Sequence, residues 1–122
     1  MSLPKILVID DDESVATALR AKLRDHYLVL GLTQPRRAVE VAQRERPSLV
    51  MCDISMPGMQ GDEVALALAM DAHTRDVPLI YLSALLPPRT AVELGQQFGG
   101  NLGVSKKLPT AQMLEVIRSA IG

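Results

Sequence analysis

Four short apolar runs end in residues that could do chemistry together. Ile6-Leu7-Val8-Ile9 is followed by Asp10, Asp11 and Asp12, and Leu49-Val50-Met51-Cys52 by Asp53. Leu79-Ile80-Tyr81-Leu82 is followed by Ser83, and a weaker run around Leu102 to Val104 by Ser105, Lys106 and Lys107. Brought to one edge, these groups make a cluster of carboxylates, a hydroxyl and an ammonium. Carboxylates so placed repel unless a cation joins them. An oxygen-only site suits Mg²⁺, which takes one or two carboxylates, keeps several waters and coordinates phosphate oxygens. A hydroxyl and a lysine nearby complement the equatorial oxygens of a phosphoryl group. The chemistry indicated is Mg²⁺-assisted phosphoryl transfer, with one carboxylate as acceptor.

Whether these groups meet depends on the elements that carry them. The runs, with Leu28-Val29-Leu30 as a fifth, lack polar alternation, as do strands covered on both faces of a parallel sheet. Segments with helical spacing separate them. Val15, Leu19 and Leu23 follow Asp12-Glu13-Ser14; Ala38, Val41 and Ala42 follow Pro35 and stop at Pro47. Val64, Ala67 and Leu68 follow Gly61-Asp62, and Leu114, Ile117 and Ile121 follow Pro109-Thr110. A further, weaker helix is expected from about Arg89 to Gln97, after Pro87-Pro88 and with Gly95 inside it. Strand and helix alternating five times predict an α/β fold, a five-stranded parallel sheet with helices on both faces. Ligands of such sheets sit outside the carboxyl ends of the strands, near a topological switch point. The intervals 11–53, 53–83 and 83–106 each leave room for a crossover to the same edge. With strand 1 beside strand 3, and 3 beside 4, the groups stand on neighbours about 4.8 Å apart.

Composition narrows the function classes. The 122 residues suit one domain, 48% hydrophobic and 22% charged. A formal net charge of -1 argues against direct nucleic-acid binding, which a basic stripe would announce. Two Tyr, one Phe and no Trp leave few platforms for stacking a base or a flat cofactor. The single cysteine, Cys52, excludes an internal disulfide or a Cys-rich zinc site and reads as a small core residue. No secretory signal is expected at the N-terminus, and the longest apolar run, Val64 to Met70, is too short to cross a membrane. Asp12 reads as a helix cap, Lys107 and the pair Arg36-Arg37 as solvated charges, and His26 and His73 as surface residues.

The motifs Ile6-Leu7-Val8-Ile9-Asp10-Asp11-Asp12, Val50 to Gly61 (VMCDISMPGMQG), Tyr81-Leu82-Ser83-Ala84 and Val104-Ser105-Lys106 resemble the receiver domain of bacterial two-component response regulators. The likeness runs from about Lys5 to Ile121, so the chain reads as a single receiver domain over residues 1–122. The resemblance implies a flavodoxin-like, doubly wound sheet in the order 2-1-3-4-5. It implies that Asp53 accepts a phosphoryl group from a histidine kinase or a histidine phosphotransfer protein. Asp11 and Asp53 would ligate Mg²⁺ directly, Asp10 would act through water, and Ser55 would offer its backbone carbonyl. Ser83 and Lys106 would bind the phosphoryl oxygens, and Ala84 is small enough for the group to approach the backbone. Ser55 and Leu85 would flank the site and tune the access of water. It also implies a phosphoacceptor in the cytoplasm, assisting its own phosphorylation and dephosphorylation rather than acting as an enzyme. Its state would be read by a downstream effector domain or protein, without a membrane.

Two positions depart from the family. Lys107 stands where a proline usually follows the lysine through a cis bond, and Gly103 where an aromatic usually precedes it by three residues. Two other readings compete. In a haloacid-dehalogenase-like phosphatase, Asp10 would be the nucleophile and Asp12 the acid, with no role for Asp53. A receiver-like module that is never phosphorylated is the second.

Overall fold

The apolar runs are strands, and their order is what gathers the polar residues. The computed structural model describes residues 3–86, 92–93 and 101–122. β1 (Lys5–Ile9), β2 (Leu28–Leu32), β3 (Leu49–Asp53) and β4 (Leu79–Ser83) are followed by a two-residue β5 (Val92–Glu93) and by β6 (Leu102–Ser105). Five of these pair in parallel as β2-β1-β3-β4-β6, the predicted 2-1-3-4-5 with β6 as its fifth parallel strand. β5 adds to the free edge in antiparallel fashion, with Val92 opposite Gly103 and Glu93 opposite Leu102. The helix expected from about Arg89 to Gln97 is therefore corrected at these two residues, where an open strand edge offers backbone partners to β-branched Val92. The rest of that helix lies outside the described residues.

Position in the sheet explains burial. Every residue of β3 and all of β1 after Lys5 are buried, as central parallel strands require. β2 lies at an edge, so it alternates: Val29 and Leu32 are buried while Leu28 is exposed. Among the described residues, four helices cover the two faces. On one face α1 (Glu13–Leu23) and α4 (Thr110–Ile121) bring Ala16, Leu19, Leu23, Met113 and Ile117 against Ile6, Val8, Met51, Leu82 and Val104. On the other, α2 (Ala38–Glu45) and α3 (Gly61–Ala69) bring Val41, Ala42, Val64 and Leu68 against Leu7, Ile9, Val50 and Cys52. The face of α4 is turned slightly from the expected one. Met113 and Ile117 are buried, while Leu114 and Ile121 only border the core.

Local signals set the helix boundaries. Asp12 caps α1, its Oδ1 accepting the Ser14 N–H at 3.0 Å. Pro35 opens a 3-10 turn, Pro35–Arg37, that leads into α2. α2 ends at Arg46 in the left-handed region (φ 51°), just before Pro47. Gln60 and Glu63 form a reciprocal capping box on α3.

Candidate functional site at the strand ends

The carboxyl ends of β1, β3, β4 and β6 hold the site. Asp10 is buried, and its Oδ1 accepts the Asp12 backbone N–H at 2.9 Å. Its Oδ2 lies 2.7 Å from the Lys106 ammonium and has no other donor. Asp53, also buried, places Oδ1 3.5 Å from the same ammonium. Asp11 is exposed at the rim. Asp10, Asp11 and Asp53 each offer an oxygen within 4.8 Å of the others. That set of three hard oxygens, partly open to water, has the chemistry that Mg²⁺ prefers.

The remaining predicted residues surround this cluster. Ser83 is buried; its Oγ accepts the Leu85 N–H at 3.0 Å, and its carbonyl accepts the Lys106 N–H at 3.0 Å. Ala84 is exposed beside it and adds only a methyl group. Leu85 is 94% exposed at the lip, and Ser55 is exposed in the loop after Asp53. That loop is tied at both ends. The Ile54 N–H donates to the Leu82 carbonyl at 3.2 Å, and the Gly61 N–H to the Ile54 carbonyl at 2.8 Å. Gly61 itself has to be glycine: a Cβ there would run into the Asp53 carbonyl oxygen and sit 3.0 Å from the Ile54 Cα. In the sequence Gly61 stands out as a motif member and a helix start, and the close approach is visible only in three dimensions.

Electrostatics follow from this crowding. Burial, and then the charge of Asp10, raise Asp53 above the ordinary aspartate range; Lys106 and the Ser55 N–H only partly offset them. Charging Asp53 as pH rises through and above that range therefore works against the metal-free fold. Burial alone would lower the Lys106 ammonium, but its two carboxylate partners outweigh that and hold it above the ordinary lysine value. Burial, with the charges of Asp53 and Asp10, pushes the Cys52 thiol far up, so it stays a neutral core residue.

The departures resolve as geometry. The Lys106–Lys107 bond is trans, and Lys106 still reaches both acids. Lys107 is exposed, as expected. Gly103 lies in register with Tyr81 of β4, whose buried ring brings its hydroxyl to the Asn101 side chain. The phosphatase reading finds no support here. Both oxygens of Asp10 are engaged, and Asp12 is committed to its cap.

Because Asp11 is exposed, its loss separates metal binding from folding. Asp11→Asn should leave the metal-free melting temperature within about 2 °C of the parent, the scale of an ordinary surface substitution. The gain in melting temperature on adding Mg²⁺ should largely disappear. Thermal melts with and without Mg²⁺ decide it; an undiminished gain would remove Asp11 from the ligand set.

Comparison with known proteins agrees with the fold. A family model described as the response regulator receiver domain matches residues 6–118. The chain belongs to that family. It is 30% identical to the response regulator PleD of Caulobacter vibrioides over 116 residues, 94% of this chain but 25% of that protein. To the protein PilH of Pseudomonas aeruginosa it is 28% identical over 120 residues, 98% of each chain. The chain thus spans about a quarter of PleD and nearly the whole of PilH. Among solved structures, the receiver domain of a Pseudomonas aeruginosa sensor histidine kinase superposes with a TM-score of 0.81, at 27% identity and 99% coverage of both chains. That structure holds a magnesium ion coordinated in its active site cleft. The Vibrio cholerae chemotaxis protein CheY4 gives the same TM-score at 24% identity over 98% of this chain and 99% of that one, a likeness of fold. No helix among the described residues is long and apolar enough to cross a membrane.

Proposed function

We propose that this chain, a single receiver domain over residues 1–122, is a phosphoacceptor whose phosphoryl group resides on Asp53. The observation that carries this is the buried Asp53 carboxylate, 3.5 Å from the Lys106 ammonium and within reach of two further carboxylates. Asp11 and Asp53 would hold Mg²⁺ directly, Asp10 through water, and Ser55 through its carbonyl. Bound there, the ion neutralises the acids and the charge on the transferring group. An Asp53 oxygen attacks phosphorus. The P–N bond to the donor imidazole breaks, and its electron pair stays with the ring nitrogen. The Ser83 hydroxyl, whose oxygen already accepts from Leu85, keeps its proton to donate to a phosphoryl oxygen, with Ala84 leaving room beside it. Lys106 is the cation for the remaining charge.

The donor is a histidine kinase or a histidine phosphotransfer protein in the cytoplasm, and a downstream effector domain or protein reads the result. Neither nucleic acid nor membrane is a direct partner. Incubation with Mg²⁺ and acetyl phosphate should add one phosphate, and Asp53→Asn should abolish it. The same substitution should raise the melting temperature of the metal-free protein, since it removes a crowded charge. Label that survives Asp53→Asn and vanishes in Asp10→Asn would instead favour the phosphatase reading.

A further inference from the structure

One small device repeats at the ends of three strands. The last polar side chain of each accepts the backbone N–H two residues further on. Asp10 accepts from Asp12 at 2.9 Å, Ser83 from Leu85 at 3.0 Å, and Ser105 from Lys107 at 3.0 Å. Each bond bends the chain sharply as it leaves the sheet and fixes the direction in which the next residues depart. Two of the three residues belong to the site described above. Ser105 has no part in it so far.

Ser105 is nonetheless well placed to act. It is 2% exposed and lies in register beside Ser83. Its hydroxyl oxygen takes the Lys107 N–H, and its carbonyl takes the Leu108 N–H at 3.1 Å. Lys106 sits between these two anchors, and its own N–H is tied to the Ser83 carbonyl at 3.0 Å. Its ammonium then falls between Asp10 and Asp53. The Lys107 N–H is essential to this arrangement, because a proline there would have no proton to donate. In this chain the turn after the lysine is shaped by a hydrogen bond from Lys107, not by a ring.

We propose that Ser105 is a positioning residue for Lys106: its hydroxyl, by holding the Lys107 N–H, aims the ammonium at Asp10 and Asp53. Its effect on phosphorylation rests on Asp53 being the acceptor; its effect on the lysine does not.

The test uses the full chain and three variants. Ser105→Ala removes the acceptor. Ser105→Cys keeps nearly the same size with only a weak acceptor, and Ser105→Thr keeps the hydroxyl. The first readout is the Nζ resonance of Lys106 in the metal-free protein. It should move toward the position of a solvated lysine in Ser105→Ala and Ser105→Cys, and stay near the parent in Ser105→Thr. The second is labelling by acetyl phosphate with Mg²⁺, which should slow roughly tenfold in the first two variants, the scale of a misaimed catalytic group, and recover in the third. An unmoved Lys106 resonance in Ser105→Ala overturns the proposal. So does a resonance that moves in Ser105→Ala but not in Ser105→Cys, since that would make the effect one of packing. Absence of any label in the parent protein would count against Asp53 as acceptor, while the Lys106 resonance would still decide the role of Ser105.

Discussion

Lys106→Ala should lower the melting temperature of the metal-free protein by roughly 10 °C, and Mg²⁺ should restore much of the loss. Lys106 is the only cation within 4 Å of Asp10 or Asp53 among the described residues. Asp10 is almost sealed from water, with 1% of its side chain exposed, and its Oδ2 depends on that ammonium. Removing one partner of a fully buried pair costs about 3–5 kcal/mol, because the other charge remains buried and unpaired. Here the lysine side chain is 22% exposed, so water recovers part of the cost and about 2–3 kcal/mol is expected. The repulsion between Asp10 and Asp53, now without a cation between them, acts in the same direction. A divalent cation placed among the same oxygens supplies the missing charge, so the variant should gain more from Mg²⁺ than the parent does. In an Asp10→Asn background the loss of Lys106 should cost at least about 1 kcal/mol less, since the pair is already broken. Equal melting temperatures of Lys106→Ala and parent without metal would show that the ammonium does not neutralise these acids in solution.

The parts of this site legible in the sequence are those that depend on residue type at a strand end. An apolar run followed by an acid, a serine or a lysine marks where a buried strand meets solvent. Alternation with helices then places those ends on one edge. Asp10, Asp53, Ser83 and Lys106 meet for that reason. Exposure was less legible: nothing in Asp10-Asp11-Asp12 tells which acid turns inward, and that is settled by the hydrogen bond from the Asp12 N–H to Asp10. The departures at positions 103 and 107 were visible as residues but not as geometry. Lys107 departs from the usual proline, and in the structure its N–H donates to the Ser105 hydroxyl oxygen. The segment after Pro87-Pro88 was the weakest helix by sequence, and at Val92–Glu93 the chain pairs with β6. Backbone pairing at a strand edge outweighs a poor helix, which local spacing cannot show. The buried face of α4 was displaced for a similar reason: Met113 is unbranched and adaptable, and it fills the core where the spacing alone favoured Leu114.

Gly61→Ala should destabilise the protein and weaken its metal site together, although the substitution favours a helix. Gly61 is the first residue of α3, where alanine would ordinarily gain up to about 1 kcal/mol over glycine. Space decides against it. The added methyl would run into the Asp53 carbonyl oxygen and stand 3.0 Å from the Ile54 Cα and 3.2 Å from the Asp53 carbonyl carbon. All three are backbone atoms, so no side-chain rotation relieves the contact. Overpacking of this kind typically costs about 1–3 kcal/mol, which exceeds the gain in helix propensity at most of that range. Relief requires α3 to retreat from β3 or the chain at Asp53 and Ile54 to shift. Either movement strains the bond from the Gly61 N–H to the Ile54 carbonyl, and with it the path of the loop that carries Ser55. The carboxylate of Asp53 then no longer stands in its present relation to Asp10 and Lys106. The expected result is a lower melting temperature, a smaller gain on adding Mg²⁺ and slower labelling by acetyl phosphate. Gly58→Ala is the control. Gly58 lies in the same loop at φ 81°, so a side chain there strains the backbone, yet its Cβ would come no nearer than 3.9 Å to the Arg36 guanidinium. It should cost stability of about 1 kcal/mol while leaving the response to Mg²⁺ close to that of the parent. A Gly61→Ala protein that melts no lower than the parent and answers Mg²⁺ equally would mean that α3 does not press on β3, and that Asp53 is held by its own turn alone.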